Sequence, residues 1–228
     1  MNIHSIKNFT YISFYNKGKK VIFLLVFFSL IYFSSFSQNK NSNNKRQIST
    51  PEKCWAIKHP FIAKKAFHLT IIAINTTKET KQQNVLDQEE NGGKLDAFRH
   101  AYWMALLAQK IGPKKAKQLG IAHEKGDKIK FKKKHFEEGT VPDSISCEMD
   151  LYNNQAGIDI GISNKKATEN ELKQFIISAI NNGELKIIAK NEKGDLLDCS
   201  GNIIPKEALI NKWNNAKCLV NSNYKYNK

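Results

Sequence analysis

Apolar side chains recur at helical spacing along most of the chain. The pattern predicts five helices, at residues 60–75, 95–110, 113–126, 148–163 and 168–182. Prolines open two of these segments, and glycine or a Gly-Pro pair follows others, as is usual at helix ends. The polar stretches between them, 76–94 and about 127–144, are predicted to be connections. The region before the C-terminus is therefore mainly α-helical.

The C-terminal part has a different pattern. Two short apolar runs, ELKIIAK and LLDCSG, flank the turn sequence NEKGD, which predicts a small β-hairpin. Pro205 is expected to open a last short helix that ends near Trp213. The predicted fold class is mainly α: a single helical-bundle domain with a small C-terminal β-hairpin.

The N-terminus has the order of a secretory signal peptide in residues 1–37. A basic NKGKK precedes the apolar run VIFLLVFFSLIYF, and SSFSQ follows it, so cleavage is expected before Gln38. This predicts export to the periplasm or the extracellular space, with no stable membrane span after cleavage. An N-terminal membrane anchor is the alternative, although a span usually needs about twenty apolar residues. Residues 38–50 are predicted to be a polar tether and 51–228 the domain.

The formal net charge is +15, and residues 1–37 hold four lysines and no acid, so the mature chain carries 15 − 4 = +11. A basic surface suits an anionic substrate such as a phospholipid, a phosphodiester or a glycan, and nucleic acid stays open as a partner. The simpler interpretation is a solvated lysine surface, because Asn, Lys and Ile are abundant throughout the chain.

Four cysteines become informative if the chain is exported, because oxidising compartments favour disulfides. Their spacing contains no C-x-x-C pair, which argues against a zinc knuckle or a thioredoxin-type site. A Cys199–Cys218 disulfide would close a short C-terminal loop and leave Cys54 to pair with Cys147. We predict that pairing, with free thiols as the alternative.

One helix, DAFRHAYWMALLAQ, is apolar almost all the way round and yet carries a polar stripe. On a helical period, Asp96, Arg99, His100 and Trp103 share one side. Polar groups that are buried without partners cost several kcal/mol, so this stripe needs partners from another segment.

The segment 148–163 offers a matching stripe. Asp150, Asn153 and Asn154 lead to Gly157 and Gly161 at the same helical offsets. Glycine costs about 1 kcal/mol in a helix interior, so two glycines on one side indicate that another backbone approaches there. The intervening helix adds His123 and Glu124, and the polar side chains of three helices are therefore expected to converge in one pocket.

The ordered blocks DAFRHAYW, AHE and MDLYNNQAGI resemble the signature of an uncharacterised bacterial domain family, often found on exported or toxin-associated proteins. The blocks read D-x-x-R-H-x-x-W, H-E and M-D-x-x-N-N-x-x-G, and the resemblance covers about residues 92–190. It implies a shared site without an established activity. The lysine-rich insertion at residues 125–145 departs from the family pattern.

The leading functional hypothesis is an exported hydrolase, of phosphodiesters or lipids, that binds Zn²⁺ or another divalent metal. His100, His123 and Asp150 are the predicted ligands, and Glu124 is the predicted base. Arg99 would bind a phosphate or carboxylate. The predicted binding and orienting residues are Asp96, Trp103, Asn153 and Asn154.

Two alternatives stay open. His100 and His123 can act as base and acid without a metal, with Asp150 orienting one ring. The polar stripe can also be a structural hydrogen-bond network in a secreted, non-enzymatic interaction module, because Asp-Arg and Asp-His pairs one turn apart are common in helices.

Overall fold

A computed structural model describes residues 48–133 and 141–225. The predicted signal peptide and most of the predicted tether lie outside these residues. The described elements are α1 (Thr50–Lys58), α2 (Pro60–Gln82), α3 (Lys94–Ile111), α4 (Pro113–Lys133), α5 (Ser144–Ser163), α6 (Glu169–Asn182), β1 (Lys186–Ile188) and β2 (Leu219–Asn221). The predicted fold class is confirmed: a mainly α bundle with a small antiparallel β-pair near the C-terminus.

Helix α3 is the central element, and α2, α4, α5 and α6 pack around it. Every residue from Leu95 to Ala108 is buried except Arg99. An amphipathic helix would leave one face to solvent, whereas a helix enclosed on all sides needs apolar residues all round. The near-continuous apolar character of α3 therefore follows from its central position.

Helices α3 and α5 approach each other closely at two glycines of α5. A Cβ atom added to Gly157 would lie 2.1 Å from the Ala101 carbonyl oxygen, and one added to Gly161 would lie 2.5 Å from that of Ala105. Both distances are far shorter than a van der Waals contact, so only glycine fits. The predicted close approach of a second backbone at these glycines is confirmed.

The first two helices correct the predicted boundaries. Helix α1 begins at Thr50, inside the predicted tether, because Ser49 and Glu52 form a capping box. Helix α2 continues to Gln82 and takes up part of the predicted connection at 76–94. Packing supports this extension, because Thr77 and Thr80 are buried, and the Thr77 hydroxyl is satisfied by donating to the Ala73 carbonyl at 2.8 Å.

The predicted loop at 127–144 is also shorter than expected. Helix α4 continues to Lys133, and α5 begins at Ser144 rather than near residue 148. Asp143 caps α5 by accepting from the backbone N–H groups of Ile145 and Ser146. Residues 134–140 lie outside the described part of the chain.

The C-terminal β-structure uses a partner that the sequence did not suggest. Strand β1 pairs antiparallel with β2, with Ile187 opposite Val220. The predicted hairpin partner LLDCSG pairs instead with the residues that follow β1, through an isolated bridge from Lys190 to Leu196. The predicted helix from Pro205 to Trp213 is reduced to one 3₁₀ turn, Lys206–Ala208.

The predicted disulfide between Cys199 and Cys218 is confirmed, with an S–S distance of 2.08 Å. The predicted Cys54–Cys147 pair is wrong, because both are free thiols. Cys54 lies exposed on α1, whereas Cys147 is buried on α5. Among the described residues, no helix is both long and apolar enough to cross a membrane.

Candidate functional site

The N-terminal end of α3 is held by carboxylates that satisfy its first N–H groups. The Asp87 carboxylate accepts from the backbone of Lys94 at 2.7 Å and of Leu95 at 3.0 Å. Asp96 Oδ2 accepts from the Gly92 N–H at 2.7 Å. These bonds fix the first turn of α3, since the first four N–H groups of a helix have no intrahelical acceptor. Asp96 is therefore held in one orientation at the start of the polar stripe.

Asp96, His100 and Asp150 form a compact cluster, which we call the carboxylate–imidazole triad. His100 Nε2 lies 3.6 Å from Asp96 Oδ1 and 3.4 Å from Asp150 Oδ1. One ligand atom from each residue lies within 4.8 Å of the other two, and all three residues are buried. Two helices supply the triad, and the glycine contact between them sets its dimensions.

Asn154 fixes the orientation of the His100 ring. Its Oδ1 lies 3.3 Å from His100 Nδ1, and a proton on Nδ1 would direct the Nε2 lone pair toward the two aspartates. A metal-binding histidine commonly has this second hydrogen bond through its other ring nitrogen. The Asn154 Nδ2 atom is buried without a hydrogen-bond partner among the described residues.

Arg99 is the cation closest to the triad in the described structure. Its Nη2 atom donates to Asp96 Oδ1 at 2.5 Å and lies 3.2 Å from His100 Nε2. The Arg99 side chain is 39% exposed, whereas those of the triad are 10% exposed or less. The guanidinium therefore reaches the triad from the solvent side. It contacts Asp96 Oδ1 and His100 Nε2, the two atoms that would bind a metal ion.

His123 lies beside the triad and not within it. The ring centroids of His100 and His123 are 5.9 Å apart, and His123 Nδ1 lies 3.2 Å from Glu52 Oε1. Trp103 meets the His123 ring edge-on at 5.5 Å and donates from Nε1 to the Thr70 hydroxyl. Trp103 thus helps to position His123, and Asp96 takes the place in the triad that the sequence analysis gave to His123.

Asn153 has a structural role in this fold. Its Oδ1 accepts from the Lys186 N–H, and its Nδ2 donates to the Lys186 carbonyl, both at 2.9 Å. The side chain therefore joins α5 to the start of β1. It lies on the stripe predicted from the sequence, but its amide is fully engaged with backbone.

A pocket of about 570 Å³ opens between α4 and α5. Glu124, Cys147 and Asn154 line its buried part. Neither Glu124 oxygen has a hydrogen bond of normal geometry from a described residue, although the Cys147 thiol is close enough to interact with the carboxyl group. Glu124 and Asn154, two of the described side chains with buried polar atoms that lack a hydrogen bond, thus both line this pocket.

Three buried carboxyl groups share this region, and burial disfavours their charged forms. Desolvation raises the pKa of Glu124 to about 7, against the opposing charge of His123. Desolvation, reinforced by the charges of Asp96 and Glu124, raises the pKa of Asp150 well above its usual range. The pKa of Asp96 is raised by desolvation, although Arg99 lowers it. These carboxyl groups are therefore held partly in their neutral forms, and a cation placed among them would favour their ionisation.

Sequence reasoning missed Glu52, Asp87 and Cys147 as neighbours of the site. Glu52 had a detectable signal, because its capping box with Ser49 predicts a helix that the assigned tether excluded. Asp87 and Cys147 come from a predicted connection and from the start of α5, where no periodic pattern pointed to the site.

The chain belongs to a family described as a domain of unknown function (DUF6973), which matches residues 53–184. The match covers more than half of the chain and includes all of the residues that form the triad and the buried part of the pocket. No curated protein and no solved structure matches the chain.

Proposed function

We propose that this chain is an exported hydrolase in which the carboxylate–imidazole triad binds a divalent metal ion. The observation that carries the proposal is the triad itself: three buried ligand atoms from Asp96, His100 and Asp150 within 4.8 Å of one another. Two carboxylates and one imidazole suit Zn²⁺ or a similar divalent ion, and three protein ligands leave a position for water. A bound cation would also stabilise the ionised forms of Asp96 and Asp150, which burial disfavours.

The second coordination layer supports the same proposal. Asn154 holds His100 in the tautomer that presents Nε2, and the Gly92 N–H holds Asp96 through Oδ2. Arg99 now contacts two of the ligand atoms, so it has to turn outward when a cation binds. Its partial exposure permits this movement, and the displaced guanidinium is placed to bind an anionic substrate group.

The proposed reaction is attack of water on a carboxylic or phosphoric ester. A bound metal would lower the pKa of that water toward 7. Glu124, whose pKa of about 7 suits a general base, takes the proton as the water oxygen bonds to the ester centre. The bond to the leaving oxygen breaks, and Glu124 returns the proton to that oxygen. Asn154 Nδ2 donates to the oxygen on which negative charge develops.

Export is the part of the proposal that concerns where the protein acts. The Cys199–Cys218 disulfide favours an oxidising compartment, and the N-terminal pattern is that of a signal peptide. The basic composition favours anionic substrates, such as phospholipids and other anionic esters. Protein for the tests is therefore best produced from the full chain through an export pathway.

The decisive experiment is metal binding by equilibrium dialysis against Zn²⁺ and Mn²⁺, paired with hydrolysis of phosphodiester and carboxylic ester probes. We expect about one bound ion, with at least a hundredfold weaker binding and activity in His100→Ala and Asp150→Asn, since each removes a ligand. His68→Ala is the matched control, because His68 lies exposed on α2. Equal metal binding by the parent and both site variants would refute the proposal.

A non-enzymatic interaction module is the second candidate, and the Arg99 contacts favour it. The guanidinium already bonds to Asp96 and approaches His100, so the stripe contains a satisfied ion-pair network. In that case no ion binds, and His100→Ala lowers stability without changing any activity. The unsatisfied atoms of Glu124 and Asn154 favour the hydrolase, because a purely structural network leaves few buried polar groups without partners.

A further inference from the structure

The pocket between α4 and α5 has three zones with different chemistry. Its buried end carries the unsatisfied polar groups of Glu124 and Asn154. Apolar side chains form its wall, among them Ile121, Leu151 and Ile158. Lysines form its mouth, and all of them are exposed: Lys117, Lys125 and Lys128.

We infer that this pocket binds an amphipathic anion: a molecule with a hydrogen-bond acceptor at one end, an apolar segment, and a negative charge at the other end. The inference rests on the proposed function, since it takes this molecule to be the substrate of the hydrolase. The inference adds the order of the chemical groups along the substrate and the residues that bind each group.

The buried end selects a neutral acceptor. Asn154 uses Oδ1 for His100, so its Nδ2 donor is the atom left for the ligand. An ester or amide carbonyl accepts this hydrogen bond, whereas an alkyl terminus would leave the donor unsatisfied and lose affinity. The same Asn154 amide contacts His100 Nδ1 at 3.3 Å, and it thereby connects the buried end of the pocket to the triad.

The wall and the mouth select the remaining groups. A volume of about 570 Å³ lies within the range of small-molecule pockets, and the apolar wall favours a flexible alkyl or aryl segment. Trp213 closes one side of the mouth, and Lys128 Nζ lies 5.4 Å from the centre of its ring. The clustered ammonium groups at the mouth attract a carboxylate, a phosphate or a sulfate.

The binding test uses the monomethyl esters of linear dicarboxylates, from adipate to sebacate, measured by calorimetry at low ionic strength. We expect affinity to rise about fourfold per added methylene until the apolar wall is covered. Alkanoates of the same length have the charge and the chain but lack the carbonyl at the far end. They should bind at least tenfold more weakly than the monoesters.

Substitutions test the contribution of the wall and of the mouth to binding. Leu151→Trp narrows the pocket at an exposed position and should weaken binding at least tenfold, whereas Ile162→Trp, on α5 outside the pocket, should not. Lys125→Gln with Lys128→Gln should weaken binding in a salt-dependent manner, and Lys114→Gln with Lys115→Gln, outside the pocket on α4, is the charge-matched control.

The outcomes separate this inference from the proposed function. Length-dependent binding without metal-dependent hydrolysis keeps the inference about the pocket and refutes the hydrolase. Metal-dependent hydrolysis of short neutral esters, with no dependence on length or charge, keeps the hydrolase and overturns the inference. Equal losses in Leu151→Trp and Ile162→Trp overturn it as well.

Discussion

Helices α3 and α5 meet in two regions that differ sharply in chemistry. At Ala101 and Ala105, small side chains face Gly157 and Gly161, and no space is left even for a methyl group. Toward the start of both helices, His100 faces Asp150 and Asn154, and buried polar atoms there lack hydrogen bonds. The same helix pair thus contains a closely packed apolar contact and an incompletely satisfied polar one.

The difference shows how the apolar contact supports the polar one. The glycines fix the separation of the two backbones, and this separation places Asp150 Oδ1 3.4 Å from His100 Nε2. A site held to within about 0.5 Å needs such rigid support, because ligand geometry is lost when helices move apart. Stability is therefore concentrated in the apolar contact, and chemical function is proposed for the polar one.

The largest expected effect comes from breaking the apolar contact with Gly157→Ala. The added methyl group would meet the Ala101 carbonyl oxygen at 2.1 Å, and neither backbone can move without disturbing the core. We expect a loss of about 3 kcal/mol in unfolding free energy, or a melting temperature lower by about 10 °C. The gain of about 1 kcal/mol in helix propensity offsets only part of the clash.

Thermal unfolding of Ser163→Ala, an exposed change on the same helix, provides the control. Gly157→Ala should also weaken metal binding, because it separates Asp150 from His100. An alanine variant as stable as the parent would contradict the close approach of the two helices.

A smaller effect should appear in the pH dependence of stability, through Glu124. Its pKa is raised from 4.5 to about 7, so the folded state retains a proton that the unfolded state releases between these values. The stability that this group contributes is fully present below pH 4.5 and is lost as the pH rises through 7, by about 3 kcal/mol in all. The raised pKa values of Asp96 and Asp150 act in the same direction.

Denaturant unfolding between pH 4.5 and 8 checks this dependence. Glu124→Gln, which cannot ionise, should flatten the curve and be the more stable protein at pH 8. Stability that rises steadily with pH in the parent would contradict the raised pKa of Glu124.

The smallest expected effect is that of Arg99 on metal binding at the polar contact between α3 and α5. Its Nη2 atom occupies the space beside Asp96 Oδ1 and His100 Nε2, and its charge repels a cation. Arg99→Gln should therefore tighten Zn²⁺ binding about tenfold, equivalent to about 1.4 kcal/mol. Lys110→Gln, an exposed change on the same helix, is the control.

Calorimetric Zn²⁺ titrations of the parent and both variants check this prediction. Substrate hydrolysis by Arg99→Gln should fall despite the tighter metal binding, because the proposed contact with the anionic group is lost. Weaker Zn²⁺ binding in Arg99→Gln would mean that Arg99 supports the triad and does not compete for it.

Much of the fold could be predicted because local patterns dictate it. The capping box of Thr168 and Glu171 marks the start of α6, and the structure begins that helix at Glu169. The all-round apolar pattern of α3 predicted a buried helix, and the glycines of α5 predicted a close neighbour. The end of α2 could not be predicted, because buried threonines there continue the helix in a segment that has a polar composition.

The candidate site was predictable in part for the same reason. Helical spacing alone placed Asp96, Arg99 and His100 on one stripe and Asp150 and Asn154 on another. It could not tell that Asn153 bonds to the backbone of Lys186, since that partner lies 33 residues away. It also could not place Glu52 beside His123, because the contact joins the first described helix to the fourth.

The sequence by itself determined the helical periods, the caps and the polar stripes, because each depends on neighbours within about one helical turn. Only the tertiary structure decided which side chains meet: Asp96 rather than His123 with His100 and Asp150, β2 rather than LLDCSG with β1, and no bond between Cys54 and Cys147. These choices depend on the packing of whole helices against α3, and contacts between distant segments are set by the shape and burial of the assembled core.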